Sequence, residues 1–100
     1  MTHEQARAIW ETLGAYPRET VEYQIVLFTS SKHSMVYNWN LDMYTIKHRN
    51  RKLVIGASRL RAFGYSPVHF KIDKRYCKLL IDYIEWYEEF YHVPSSVTYE

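Results

Sequence analysis

The stretch DKRYCKLLIDYIEWYEEFYHVP, residues 73–94, decides how this chain is built. From Lys74 to Val93 it contains neither glycine nor proline, Asp73 stands where an N-cap belongs, and Pro94 lies just past the far end. At 100° per residue, Trp86, Leu79, Phe90, Tyr83, Tyr76, Tyr87, Leu80, Tyr91, Ile84 and Cys77 fall on one continuous arc of about 180°, wider than the roughly 100° stripe that seats a surface helix on a core. Lys78, Asp82, Glu85 and Glu89 form the narrow polar side. The pattern predicts a long C-terminal helix. Its surplus apolar width leaves two outcomes open: the domain engulfs the helix, or part of the arc meets a partner.

Upstream of that helix the apolar period changes. Val21, Tyr23, Ile25 and Leu27 alternate with Glu22, Gln24, Val26 and Phe28, the two-residue period of a strand. A polar break at 29–34 and a second extended run at 35–39 complete a hairpin, and 43–46 predicts a third strand. Leu53, Val54 and Ile55 could extend the sheet, yet Leu53, Ala57, Leu60 and Phe63 also fit a helix ending at Gly64, and a helix over 53–63 is expected. A short extended segment follows at 68–72. At the N-terminus, Thr2 and Gln5 make a capping box, and Ala6, Ile9, Trp10 and Leu13 make a helical stripe stopped by Gly14 and Pro17. The expected class is therefore α+β: a small antiparallel sheet packed with an N-terminal helix and a long aromatic-rich C-terminal helix, with an all-α arrangement as the alternative. Residues 1–93 are expected to form a single compact domain, and 94–100, lacking apolar periodicity, a flexible C-terminal tail.

One hundred residues make one domain, and a 47% hydrophobic composition is that of a chain that buries a core. At this size about 60 to 70% of the unfolded surface is buried, which leaves room for a partner to complete the fold. The lone Cys77 permits no internal disulfide, which points to the reducing cytoplasm. No apolar run approaches the roughly 20 residues that span a membrane, and the N-terminus carries no secretory pattern. A cytoplasmic protein without membrane contact is expected.

The net charge of +2 conceals a segregation. Between residues 43 and 78 lie ten of the thirteen basic residues and a single acid, Asp73. The rest of the chain sets three bases against ten acids. Such a window attracts nucleic acid or an acidic protein surface, unless the fold neutralises it internally.

Catalytic chemistry finds little to build on. The five histidines are scattered without zinc-ligand spacing, and Cys77 sits mid-helix on the apolar arc as a buried structural thiol. The three glycines are isolated, so no phosphate-binding loop is present, and no nucleophile elbow appears. No enzyme activity, cofactor or metal is expected.

Binding is better supported. Lys47, Arg49, Arg51, Lys52, Arg59 and Arg61 are interleaved with Tyr44, Phe63, Tyr65 and Phe70, and rings beside cations can stack bases while the cations hold phosphates. Tyr65 and Pro67 lie in a predicted exposed turn that offers an epitope to a prolyl isomerase. Three Trp and ten Tyr form a heavy load of interface-anchoring residues, with Trp86, Tyr87, Phe90 and Tyr91 clustered in two helical turns.

As one aromatic-rich, motif-poor domain with segregated charge, the chain resembles the small accessory proteins made early by tailed bacteriophages, and among them the anti-RecBCD class. The resemblance covers size and composition, and no motif transfers a residue role. It implies a non-enzymatic protein that binds and inhibits or modulates a host DNA-processing enzyme such as a helicase-nuclease, through the basic window and through Trp86 and Phe90. The alternative is a small basic nucleic-acid-binding protein.

Overall fold

A computed structural model describes residues 24–65 and 71–100 of the chain. Five strands and two helices follow in the order β1 (Gln24–Thr29), β2 (His33–Asn38), β3 (Met43–His48), β4 (Arg51–Gly56), α1 (Ala57–Ala62), α2 (Lys74–Phe90) and β5 (Val97–Tyr99). The strands pair with their sequence neighbours in one antiparallel sheet, β1-β2-β3-β4-β5. The class is α+β, as the periodicities predicted. The expected N-terminal helix, Val21 to Tyr23, Pro67 and Val68 to Phe70 lie outside the described residues.

Register explains the core. Pairing Met35 with Ile46 and Ile46 with Leu53, and Tyr37 with Tyr44 and Tyr44 with Ile55, puts two cross-strand rows on one face. All six of these side chains are buried, and Cys77, Leu80, Ile81 and Ile84 of α2 close over them. The helix crosses the sheet: the Cys77 thiol donates to the Ser34 carbonyl of β2 at 3.7 Å, while Glu88 meets Ser96 beside β5. On the opposite face the register aligns Val26, Val36, Thr45 and Val54 in a row. In β1 the pairing shifts between Val26 and Phe28, so the strict alternation read there ends in a bulge that places Phe28 opposite Met35.

Three expectations are corrected. Residues 53–56 are strand, and the helix is confined to Ala57–Ala62. Leu53 and Ile55 point inward at the two-residue period as well as fitting a helical one, and the open edge of β3 decided between them. The end of α1 falls where Gly64 placed it: Gly64 adopts φ 85°, its N–H donates to Arg61 and that of Tyr65 to Leu60, a Schellman closure. The segment 94–100 is not a free tail, because Val97–Tyr99 pairs with β4 and Val97 is buried against the core. Three residues are too few to show a period; their order comes from the unpaired edge of β4. Finally, Tyr65 is half-buried, its ring meeting Tyr83 at 5.5 Å instead of standing out of a turn.

Candidate functional site

The arc of α2 is divided three ways. Tyr76, Cys77, Leu80, Ile81 and Ile84 are buried, most of them against the sheet. Phe63, at the end of α1, takes the next sector, meeting Tyr83 edge-on at 5.8 Å and Tyr87 at 4.7 Å. The remaining sector is bare: Trp86 is 53% and Phe90 61% exposed, with Leu79 and Tyr91 also exposed. Trp86 and Phe90, one turn apart, stack at 5.5 Å and 24°. Tyr83 continues the run behind Trp86 at 5.9 Å and Tyr91 ahead of Phe90 at 4.9 Å. Beside them a groove of about 480 Å³ is lined by Arg59, Ala62, Phe63, Tyr83, Tyr87 and Val93.

The floor of this region is held by a buried carboxylate. Glu88, 2% exposed, accepts from the Ser96 N–H at 2.8 Å, from the Ser96 hydroxyl at 2.8 Å and from Arg59 at 3.3 Å, and Arg59 donates to the Ser96 hydroxyl at 2.7 Å. The network joins α1, α2 and the start of β5. Of the three acids in this stretch, Glu89 is exposed and Glu85 half-buried, while Glu88 alone is enclosed. Its position four and seven residues after Ile84 and Ile81, on the line that faces the sheet, was the signal available. The helix then closes on His92 at φ 54°, with N–H groups of His92 and Val93 donating to Glu89 and Glu88.

The basic window separates into paired and free charges. Arg51 lies on the α2 side of the sheet, its guanidinium 2.7 Å from Asp82 and 3.5 Å from Glu85. Arg59 is taken by Glu88 and stands 5.6 Å over the Phe63 ring. Both are therefore parts of the fold. Lys47 and Lys52 face each other across β3 and β4 at the tip whose two-residue turn is Arg49 and Asn50, Arg49 taking φ 57°. The Arg49 N–H donates to the Lys32 carbonyl of the neighbouring turn, bringing a fourth basic residue to that end. These four, and the exposed Arg61 at the other end of α1, carry no ion pair among the described residues.

His33 and His48 pair across the same strand end, ring centroids 4.7 Å apart. Burial, then the charges of His33, Arg51 and Arg49, hold His48 below its ordinary pKa. Burial pushes the Cys77 thiol up to about 11, which removes it as a nucleophile near neutrality. Tyr37 donates to Asp42 at 2.5 Å, and burial with that bond raises it far above the ordinary phenol range. Among the described residues, no group of three His, Cys, Asp or Glu side chains is placed to hold a metal ion. No helix among them is long and apolar enough to cross a membrane.

Compared with family models, curated proteins and solved structures, the chain matches none. Geometry alone therefore distinguishes its surfaces. The structure brings Trp86 and Phe90 together as one exposed face, separates Lys47, Arg49 and Lys52 from Arg51 and Arg59, and withdraws Tyr65 to the edge of the ring cluster.

Proposed function

We propose that this chain is a non-enzymatic binding protein that docks on another protein through the exposed ring face of α2. The observation that carries the reading is the Trp86–Phe90 stack, solvated on a helix whose other apolar sectors are covered. Large rings left in water on a rigid element supply contact area at little ordering cost, and such residues dominate interface energetics. The partner class is the one implied by the likeness to phage accessory proteins: a host DNA-processing enzyme such as a helicase-nuclease, inhibited or modulated by contact. The protein acts in the cytoplasm, where such an enzyme works.

The free cations Lys32, Lys47, Arg49 and Lys52 favour a second reading, direct contact with nucleic acid. One experiment separates the two. Degradation of linear duplex DNA by a bacterial helicase-nuclease is followed with wild-type protein, with Trp86→Ala, and with a variant carrying Lys47→Gln, Arg49→Asn and Lys52→Gln. Asn suits the left-handed backbone at position 49. Inhibition lost in Trp86→Ala and kept in the triple variant supports docking. The reverse pattern, together with DNA binding that weakens steeply with salt, supports nucleic-acid contact. Absence of inhibition by wild-type protein removes the helicase-nuclease as the target.

A further inference from the structure

The ring face of α2 has an acidic border on one side only. Glu89 follows Trp86 by three residues, and helix geometry makes residues three and four apart surface neighbours; Glu85, one turn before Glu89, lies farther round from the rings. Glu89 has no ion pair among the described residues, whereas Glu85 is engaged within the fold, 3.5 Å from Arg51 and accepting from the Tyr99 hydroxyl. The last turn of α2 contains no basic residue, so the negative pole of the helix adds to these carboxylates. A second groove of about 290 Å³ runs along this border, lined by Glu85, Glu88, Glu89, Val93, Ser95 and Tyr99.

The molecule already shows what such a combination accepts. Arg59 lies over the Phe63 ring with its guanidinium bonded to Glu88, a cation held between a ring face and a carboxylate. Trp86 and Phe90 with Glu89 repeat the same pair of chemistries on the open side of the helix. We propose that this face seats an arginine- or lysine-bearing segment of the partner protein, the cation over the rings and its neighbouring apolar residue in the adjoining groove. The proposal rests on the docking role assigned to the face above and adds the chemistry of the occupant. An acidic segment or a nucleic-acid backbone would meet like charge at the same border.

Peptide display against the immobilised full chain, followed by titration of the best synthetic peptide on tryptophan fluorescence, tests it. The enriched peptides are expected to carry arginine or lysine beside an apolar residue. Trp86→Ala should weaken the peptide by about tenfold or more, and Glu89→Lys, at an exposed position, by about three- to tenfold. Circular dichroism checks that both variants stay folded. Trp86-dependent peptides without a cation, or an affinity indifferent to Glu89→Lys, would overturn the proposal while leaving the docking role standing. A panel with no Trp86-dependent peptide overturns both. Trp86-dependent self-association in sedimentation assigns the face to a second copy and overturns the cationic occupant.

Discussion

Glu88 is the residue on which the described packing of α1, α2 and β5 converges. Removing its carboxylate leaves the Ser96 N–H without its acceptor in a nearly dry place and breaks the pairing with the half-exposed Arg59 guanidinium. Glu88→Ala is expected to lower stability by about 3 kcal/mol in urea denaturation, most of it the cost of the orphaned donors. Glu88→Gln, which keeps one acceptor, should cost less. The acid limb of stability is expected to have two steps. His48 has a folded pKa below its ordinary value of 6.5, so the unfolded chain takes up a proton first. The stability its neutral form contributes is present above that value and fades as pH falls below it. Asp82 is depressed by the hydrogen bond from Lys78 and by Arg51, so its contribution holds above 3.8 and disappears as pH falls through the lower folded value. Denaturation midpoints against pH should lose the first step in His48→Gln and the second in Asp82→Asn. Buried Cys77 should resist alkylation in the native state, modification following global unfolding.

Among elements, α2 and the β1–β2 hairpin were readable because each repeats its period several times within one segment. The Asp73 side chain caps α2 by accepting from the Arg75 and Tyr76 N–H groups at 2.9 and 3.0 Å, as its position indicated. The segment 53–63 was misassigned because Leu53, Ala57 and Leu60 satisfy a helix while Leu53 and Ile55 equally satisfy a strand. Its junction at Gly56 is set by pairing with β3. Gly64→Ala is expected to cost about 1 kcal/mol, arising from the φ of 85° alone, since no atom crowds the added methyl. Val97→Ala should cost about 2 kcal/mol by uncovering Leu53, its cross-strand partner on β4. Hydrogen exchange would register β5 as protected, against the rapid exchange of a loose tail.

Across the whole molecule, the charge segregation is partly an internal arrangement. Arg51, Arg59 and Lys78 answer the acids of α2, and Lys32, Lys47, Arg49 and Lys52 gather at the tip formed by the β1–β2 and β3–β4 turns. Replacing Lys47, Arg49 and Lys52 together should leave stability within about 0.5 kcal/mol, because none of these exposed or half-buried cations makes an ion pair among the described residues. Arg51→Met should cost about 1 to 2 kcal/mol, with its side chain only 15% exposed between two carboxylates. Comparing the two variants by thermal denaturation separates the cations available to a ligand from those that hold the sheet to its helix.

Local periodicity and end signals were enough to establish the α+β class, the first hairpin, the long α2 and the stop at Gly64, since each depends on contacts within a few residues. Which part of the aromatic arc is buried, which arginines are paired and whether 97–99 forms a strand depended on segments distant in the chain. Phe63 covers Tyr83 and Tyr87, α2 supplies the carboxylates for Arg51 and Arg59, and β4 offers its open edge. A linear pattern records how apolar or charged a face is; burial and ion pairing require the second surface, and folding brings that surface from elsewhere in the chain.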